Sequence, residues 1–127
     1  MEKKKVLVID NDESVRVLLK VKLEKTDKFS VLALEDGKDV ISRVHSFKPD
    51  IILLDLIMPT LGGIEVCDML NNDPLGKAIP IIILSCLYKD TDRIKAFKVG
   101  VVDYIEKPVQ IDEVISGIEK ALKLSNP

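Results

Sequence analysis

The sequence predicts an α/β fold: a doubly wound, five-stranded parallel sheet with five helices packed over its two faces. Three observations carry that expectation. Five short runs of branched apolar residues recur along the chain, none of them alternates with polar residues, and a helical pattern fills each interval. A strand that is apolar throughout is buried on both sides, which is the situation of a parallel sheet between two helical layers. Right-handed crossovers make five successive βα units an open wound sheet.

The elements follow in order. Val6-Leu7-Val8-Ile9 is the first strand and runs into Asp10. Asp12-Glu13-Ser14 then offers a helix start, followed by a stripe of Val15, Leu18, Leu19 and Leu23. The second strand, Val31-Leu32-Ala33-Leu34, ends on Glu35-Asp36-Gly37, and a weaker helical stripe follows at Val40, Ile41 and Val44. Ile51-Ile52-Leu53-Leu54 is the third strand and leads straight into Asp55. Its helix carries Val66, Cys67 and Leu70 and stops near Asn71-Asn72-Asp73-Pro74, with residues 71–78 as the longest loop. The fourth strand, Ile81-Ile82-Ile83-Leu84, meets Ser85 and Cys86. The helix after it, over about 89–98, is expected to turn Ile94 and Phe97 inward and to stop at Gly100. The fifth strand runs from Val101-Val102 through Tyr104-Ile105, and Lys107-Pro108 follows it. The last helix has the clearest stripe, Ile111, Val114, Ile115, Ile118 and Leu122. Gly117 in its middle costs about 1 kcal/mol against alanine.

Length and composition narrow the function. A chain of 127 residues predicts one domain, 1–127. Nineteen basic against 21 acidic residues leave a net charge of −2, so no direct nucleic-acid binding is expected. The cysteines, Cys67 and Cys86, form no C-x-x-C pair, and the single histidine, His45, lies near neither, so no zinc site is expected. Cys67 reads as core and His45 as a plain helix-surface residue. Only four apolar residues follow Met-Glu-Lys-Lys-Lys, against the roughly 7–15 of a secretory core. No apolar run approaches the ~18 residues that span a bilayer. A cytoplasmic location with reduced thiols and no membrane partner is expected.

Sites in open α/β sheets form at the carboxyl ends of the strands. Those ends offer Asp10, Asn11 and Asp12, then Asp55, then Ser85 and Cys86, then Lys107. Clustered carboxylates repel one another. A hard divalent cation with oxygen ligands, Mg2+ above all, relieves the repulsion. A lysine and a hydroxyl beside it suit the oxygens of a phosphoryl group, and a carboxylate can itself be the nucleophile. The chemistry therefore points to phosphoryl transfer onto Asp55.

The pieces V-L-V-I-D-N-D, I-L-L-D-L-I-M-P-x-x-G-G, I-I-I-L-S and D-Y-I-E-K-P, in this order, resemble the receiver domain of two-component response regulators. The resemblance covers nearly the whole chain and implies a flavodoxin-like (βα)5 three-layer sandwich. It implies Asp55 as phosphoacceptor, with Mg2+ held by Asp10, Asp55 and the backbone carbonyl of Ile57. It makes Ser85 the hydroxyl that follows the phosphoryl group, Lys107 its cationic partner and Tyr104 the aromatic that turns inward on activation. It also implies a cis Lys107–Pro108 bond. Ile57, Cys86 and Leu87 would flank the group and set access and lifetime. Ile57 and Leu87 are apolar and cannot orient water, so slow self-dephosphorylation is expected. The implied partners are a sensor histidine kinase or phosphotransfer protein and an output domain or target that the sequence does not name. The implied role is regulatory rather than that of an enzyme.

The departure is Asn11, where the family usually has a second acid. Asn supplies an oxygen without a charge, and a charge pair near a protein surface is worth on the order of 4 kcal/mol before desolvation. Asn11 is thus a weak or absent metal ligand, and Asp12 is the residue that could compensate. Two other readings stay open. A receiver with a degenerate pocket would act as a phosphorylation-independent interaction module. Asp10-Asn11-Asp12 also resembles the D-x-D start of haloacid-dehalogenase-type phosphatases, although only Asp112 and Glu113 remain to supply that family's later acidic pair. Gly117 stands where DNA-binding regulators that dimerise through the fourth helix, fifth strand and fifth helix usually carry arginine.

Overall fold

A computed structural model describes residues 2–86 and 90–125, with side chains to residue 123. The elements are β1 (Lys4–Ile9), α1 (Glu13–Lys25), β2 (Phe29–Leu34), α2 (Val40–Phe47), β3 (Ile51–Asp55), α3 (Gly63–Asn71), a 3-10 turn (Gly76–Ala78), β4 (Ile81–Ser85), α4 (Asp90–Lys98), β5 (Asp103–Glu106) and α5 (Ile111–Ser125). The strands form one parallel sheet in the order β2-β1-β3-β4-β5. The chain starts near the centre, winds to one edge at β2, returns through β3 and continues to β5. That reversal beside β1 leaves a crevice at the carboxyl ends of β1 and β3.

The pleat sends alternate side chains to opposite faces, and each face has its own core. Leu7, Ile9, Ile52, Leu54, Ile81, Ile83 and Tyr104 pack against α2, α3 and α4. Val6, Val8, Ile51, Leu53, Ile82, Leu84 and Ile105 pack against α1 and α5. The central strands β1 and β3 are buried on both faces from Val6 to Ile9 and from Ile51 to Asp55. This is the expected three-layer sandwich.

The open edge at β2 is closed by side chains. Lys20 Nζ donates to the Val31 carbonyl at 2.8 Å, Glu24 Oε2 accepts from Val31 N at 3.0 Å, and the two side chains meet at 3.3 Å. An α1 ion pair thus occupies backbone groups that another strand would otherwise use. The Val31 N–H also holds the Glu24 carboxyl below its ordinary value.

Several local expectations need correction. Ile94 and Phe97 do not point inward: they are 52% and 48% exposed. The buried residue of α4 is Ala96. Arg93, one turn before Ala96, lays its guanidinium over the Tyr104 ring at 4.8 Å. A small residue lets α4 approach the sheet, and an arginine covers the aromatic, so the two large apolar residues turn outward. Val101 and Val102 precede β5 rather than open it, although Val102 N still donates to Ile81 O at 2.8 Å. Leu18 sits on the outer shoulder of α1 with the more exposed Val17 and Val21. His45 is not a plain surface residue: its Nε2 lies 2.9 and 3.0 Å from the Asp73 carboxylate oxygens. Asp73 Oδ2 also accepts from Leu75 N and Gly76 N, so the 71–78 loop is pinned through one carboxylate. His45 holds the Asp73 carboxyl below its usual range.

Cys67 is core, as expected, and burial pushes its thiol up to about 12. Gly100 ends α4 at φ +97°, a left-handed conformation that glycine adopts freely. Among the described residues no helix is long and apolar enough to cross a membrane.

Candidate functional site

Four side chains meet at the carboxyl rim of the sheet because each sits at, or one residue past, the end of a strand. Asp10 follows β1 and is fully buried. Asp55 closes β3 and is 5% exposed, and Ser85 closes β4 and is 1% exposed. Asp10, Asp55 and Ser85 are the buried polar residues of the chain among those described. Lys107 follows β5, and its backbone N donates to Ser85 O at 2.8 Å. The Lys107–Pro108 bond is cis, as expected.

Lys107 Nζ links the two carboxylates. It lies 2.9 Å from Asp10 Oδ2 and 3.6 Å from Asp55 Oδ2. Asp10 Oδ1 accepts from Asp12 N at 2.9 Å, which closes an Asx turn at the end of β1. Apart from its contact with Lys107, Asp10 Oδ2 has no hydrogen-bond partner among the described residues. Asp55 Oδ1 accepts from Ile57 N at 3.2 Å.

The electrostatics follow from this geometry. Burial pushes the Asp55 carboxyl above its ordinary value, the Asp10 charge adds to that, and Lys107 and the Ile57 N–H offset only part. Burial pulls the Lys107 ammonium down, but the Asp10 hydrogen bond and the charges of Asp10, Asp55 and Asp12 outweigh it and leave it raised. A carboxylate with raised basicity beside a firmly protonated lysine suits nucleophilic attack on an anionic electrophile.

Glycine at position 63 is a steric requirement. A Cβ there would lie 2.6 Å from the Asp55 carbonyl oxygen and 2.8 Å from Leu56 Cα. Gly63 N instead donates to Leu56 O at 2.9 Å, so α3 starts tight against the turn after Asp55.

The remaining expected residues divide. Asn11 and Ile57 are exposed beside the crevice, Ile57 at 52%. Asp12 caps α1: its Oδ1 accepts from Ser14 N at 2.9 Å and from Ser14 Oγ at 2.7 Å, and these bonds lower its carboxyl. Its Oδ1 therefore serves the helix, while its charge still acts on Lys107. Cys86 is exposed and lines an open groove with Ser14, Val15, Leu18, Pro108 and Lys107. Tyr104 is 8% exposed and lies under Arg93, which also pairs with Glu106. Leu87 lies outside the described residues.

The donors at the rim, two carboxylates and a loop carbonyl, are oxygens of the kind Mg2+ prefers, and the buried Asp10 Oδ2 lacks a donor among the described residues apart from Lys107. They fit such an ion if it keeps several waters. Among the described residues no three acidic, histidine or cysteine groups gather to hold a metal.

With this geometry in place, comparison with known proteins is direct. The family model for the response regulator receiver domain matches residues 6–119. The chain belongs to that family.

Similar receiver-containing proteins support the assignment. The alkaline phosphatase synthesis transcriptional regulatory protein PhoP of Bacillus subtilis is 34% identical over 122 residues, 96% of this chain and 50% of that protein. The transcriptional regulatory protein ResD of the same organism is 35% identical over 119 residues, 94% of this chain and 48% of its own length. This receiver domain thus spans about half the length of the curated relatives it matches. The solved receiver domain of Francisella response regulator 1452 superposes with a TM-score of 0.87 at 31% identity, covering 98% of this chain and all of that one. The Vibrio cholerae chemotaxis protein CheY4, with a TM-score of 0.89 at 21% identity over 94% of this chain and 99% of that one, shows the shared fold.

Sequence reading missed two contributors. Arg16 Nη1 donates to the Asp10 carbonyl at 2.8 Å, and Arg93 covers Tyr104. Each is a charged residue on a helix, and their spacing alone does not say which charge turns back toward the sheet.

Proposed function

We propose that residues 1–127 form a single receiver domain that accepts a phosphoryl group on Asp55 and passes the change to an output partner or domain. The observation that carries this reading is the buried Asp55 carboxylate, 3.6 Å from Lys107, which in turn holds Asp10 at 2.9 Å. The donor is a sensor histidine kinase or a phosphotransfer protein. The groove from Lys107 and Cys86 to Leu18 opens beside the site and gives a protein donor an apolar surface to lie on.

In the reaction an oxygen of Asp55 forms the new P–O bond. The donor's P–N or P–O bond breaks, and the leaving group departs with the electron pair. Lys107 meets the incoming negative charge, and Ser85 at the end of β4 offers its hydroxyl to a phosphoryl oxygen. Asp10, Asp55 and the Ile57 carbonyl would hold Mg2+, with Asn11 a weak ligand at most. The ion would supply charge neutralisation at the phosphoryl oxygens.

Phosphorylation draws Ser85 toward the new dianion. Tyr104 and the α4–β5–α5 face then change arrangement. A full switch from 1:99 to 99:1 needs about 5.5 kcal/mol of differential interaction. The exposed, apolar Ile57 cannot orient water, so the phosphorylated form decays slowly. The domain acts in the cytoplasm.

Incubation with acetyl phosphate and Mg2+, followed by intact-mass measurement, tests the proposal. One added phosphoryl group is expected in the wild type and none in Asp55→Asn. A gain that persists in Asp55→Asn overturns the assignment.

A further inference from the structure

Asn11 leaves the turn after β1 with one acid committed to the site. Asp12 is occupied at the start of α1 by the Ser14 N–H and hydroxyl. Asp10 is the acid of this turn that touches Lys107 directly, at 2.9 Å, and the placement of its carboxylate matters correspondingly more.

That placement is built from several bonds to a single short turn. Asp10 N donates to Leu34 O at 3.1 Å, and Asp10 Oδ1 receives Asp12 N at 2.9 Å. The Asp10 carbonyl, which follows the last strand residue Ile9, is taken by Arg16 Nη1 at 2.8 Å. Arg16 N in turn donates to Asp12 O at 3.1 Å, the first bond of α1. Arg16 is thus joined to the turn twice, by its backbone at Asp12 and by its side chain at Asp10. Asn11 lies on the span between those two attachments. The guanidinium reaches a backbone carbonyl rather than a carboxylate, so it fixes the turn without neutralising the acid that the site uses.

We infer that Arg16 is a positioning residue: by holding the Asp10 carbonyl it orients the Asp10 carboxylate and Asn11 toward Asp55, and so sets the affinity of the crevice for a divalent cation. This rests on the phosphoacceptor reading above and extends it to a residue that touches neither cation nor phosphate. Groups that orient a ligand from behind typically change metal affinity 10- to 100-fold when removed.

The test compares wild type, Arg16→Met and Arg16→Lys in the full chain. Methionine keeps much of the stem and loses the donors, while lysine keeps a cationic donor. Mg2+ is titrated while the backbone amides of residues 10–12 and 57 are followed by NMR, and acetyl phosphate uptake is measured separately by intact mass. Arg16→Met is expected to weaken Mg2+ about tenfold or more, with amides away from the turn unmoved, and Arg16→Lys to recover part of the loss. Wild-type Mg2+ affinity in Arg16→Met overturns the inference, as does an affinity in Arg16→Lys no better than in Arg16→Met. Should Arg16→Met fail to fold, Arg16→Gln, too short to reach the carbonyl, takes its place with the same expected loss. A wild type that titrates with Mg2+ but takes no phosphoryl group sinks the phosphoacceptor reading and leaves the Arg16 comparison decisive. A wild type with no saturable Mg2+ response sinks the inference itself.

Discussion

Helices α4 and α5 lie on opposite faces of the same end of the sheet and are held in different ways. Helix α5 buries Val114, Ile118 and Ala121 against Ile82, Leu84 and Ile105. Helix α4 buries only Ala96 and leaves Ile94 and Phe97 about half exposed, at 52% and 48%. What α4 lacks in apolar burial is replaced by Arg93, which stacks on Tyr104 and pairs with Glu106. Apolar burial is non-directional and hard to undo locally, whereas a guanidinium on a ring face and a carboxylate is directional and partly solvated. Apolar burial thus holds α5 to the sheet, whereas α4 meets it through one small residue and the Arg93 contacts.

The comparison can be broken in four ways, from the largest expected effect to the smallest. Ile118→Ala should lower stability by about 2–5 kcal/mol, against less than about 1 kcal/mol for Phe97→Ala, whose side chain is already half in water. Denaturant unfolding of the two variants measures this, and equal losses would remove the distinction. Arg93→Ala should cost on the order of 1 kcal/mol. It should speed hydrogen exchange in α4 while α5 amides stay protected; uniform acceleration would mean that the effect of Arg93 is not local. Gly117→Ala should raise stability by about 0.5–1 kcal/mol, because α5 gains helix propensity. A Cβ there meets Ile105 Cδ1 and Ile82 Cδ1 at an ordinary 3.5 Å. A loss in the thermal melt would mean that α5 sits closer to the sheet than its glycine indicates.

The last prediction concerns the rim of the sheet at the end of β3. The fold raises the Asp55 carboxyl, mainly by burial and then by Asp10. The folded chain therefore holds that proton more tightly than the unfolded one, and Asp55 costs more stability as pH rises through the carboxylate range. Asp55→Asn removes the cost. It should melt higher than wild type at pH 7, with the gap closing as pH falls through that range. A gap that widens on acidification would reverse the sign of the argument.

Much of this was legible in the chain. The strands are built on short apolar runs; Asp10, Asp55 and Ser85 follow theirs directly and Lys107 follows Ile105 with Glu106 between, so strand ends bring these four to one rim. The outward turn of Ile94 and Phe97 was not legible, because helical spacing groups residues on a face without saying which face meets the sheet. There the small Ala96 and the long stem of Arg93 decide. The same holds for Arg16, for His45 with Asp73, and for Lys20 and Glu24 over the edge of β2. Each is a charged or polar helix residue whose partner lies on a loop or strand brought near only by folding. Asn11 was read as a weak or absent metal ligand, and the structure adds that Asp12 Oδ1 caps α1.

The most direct test maps where the phosphoryl group resides. Treating the acetyl phosphate-labelled chain with borohydride converts a phosphoaspartate to homoserine, and peptide sequencing by mass spectrometry locates it. The account predicts homoserine at position 55 and nowhere else; homoserine at position 10 or 12, or at no position, would contradict it.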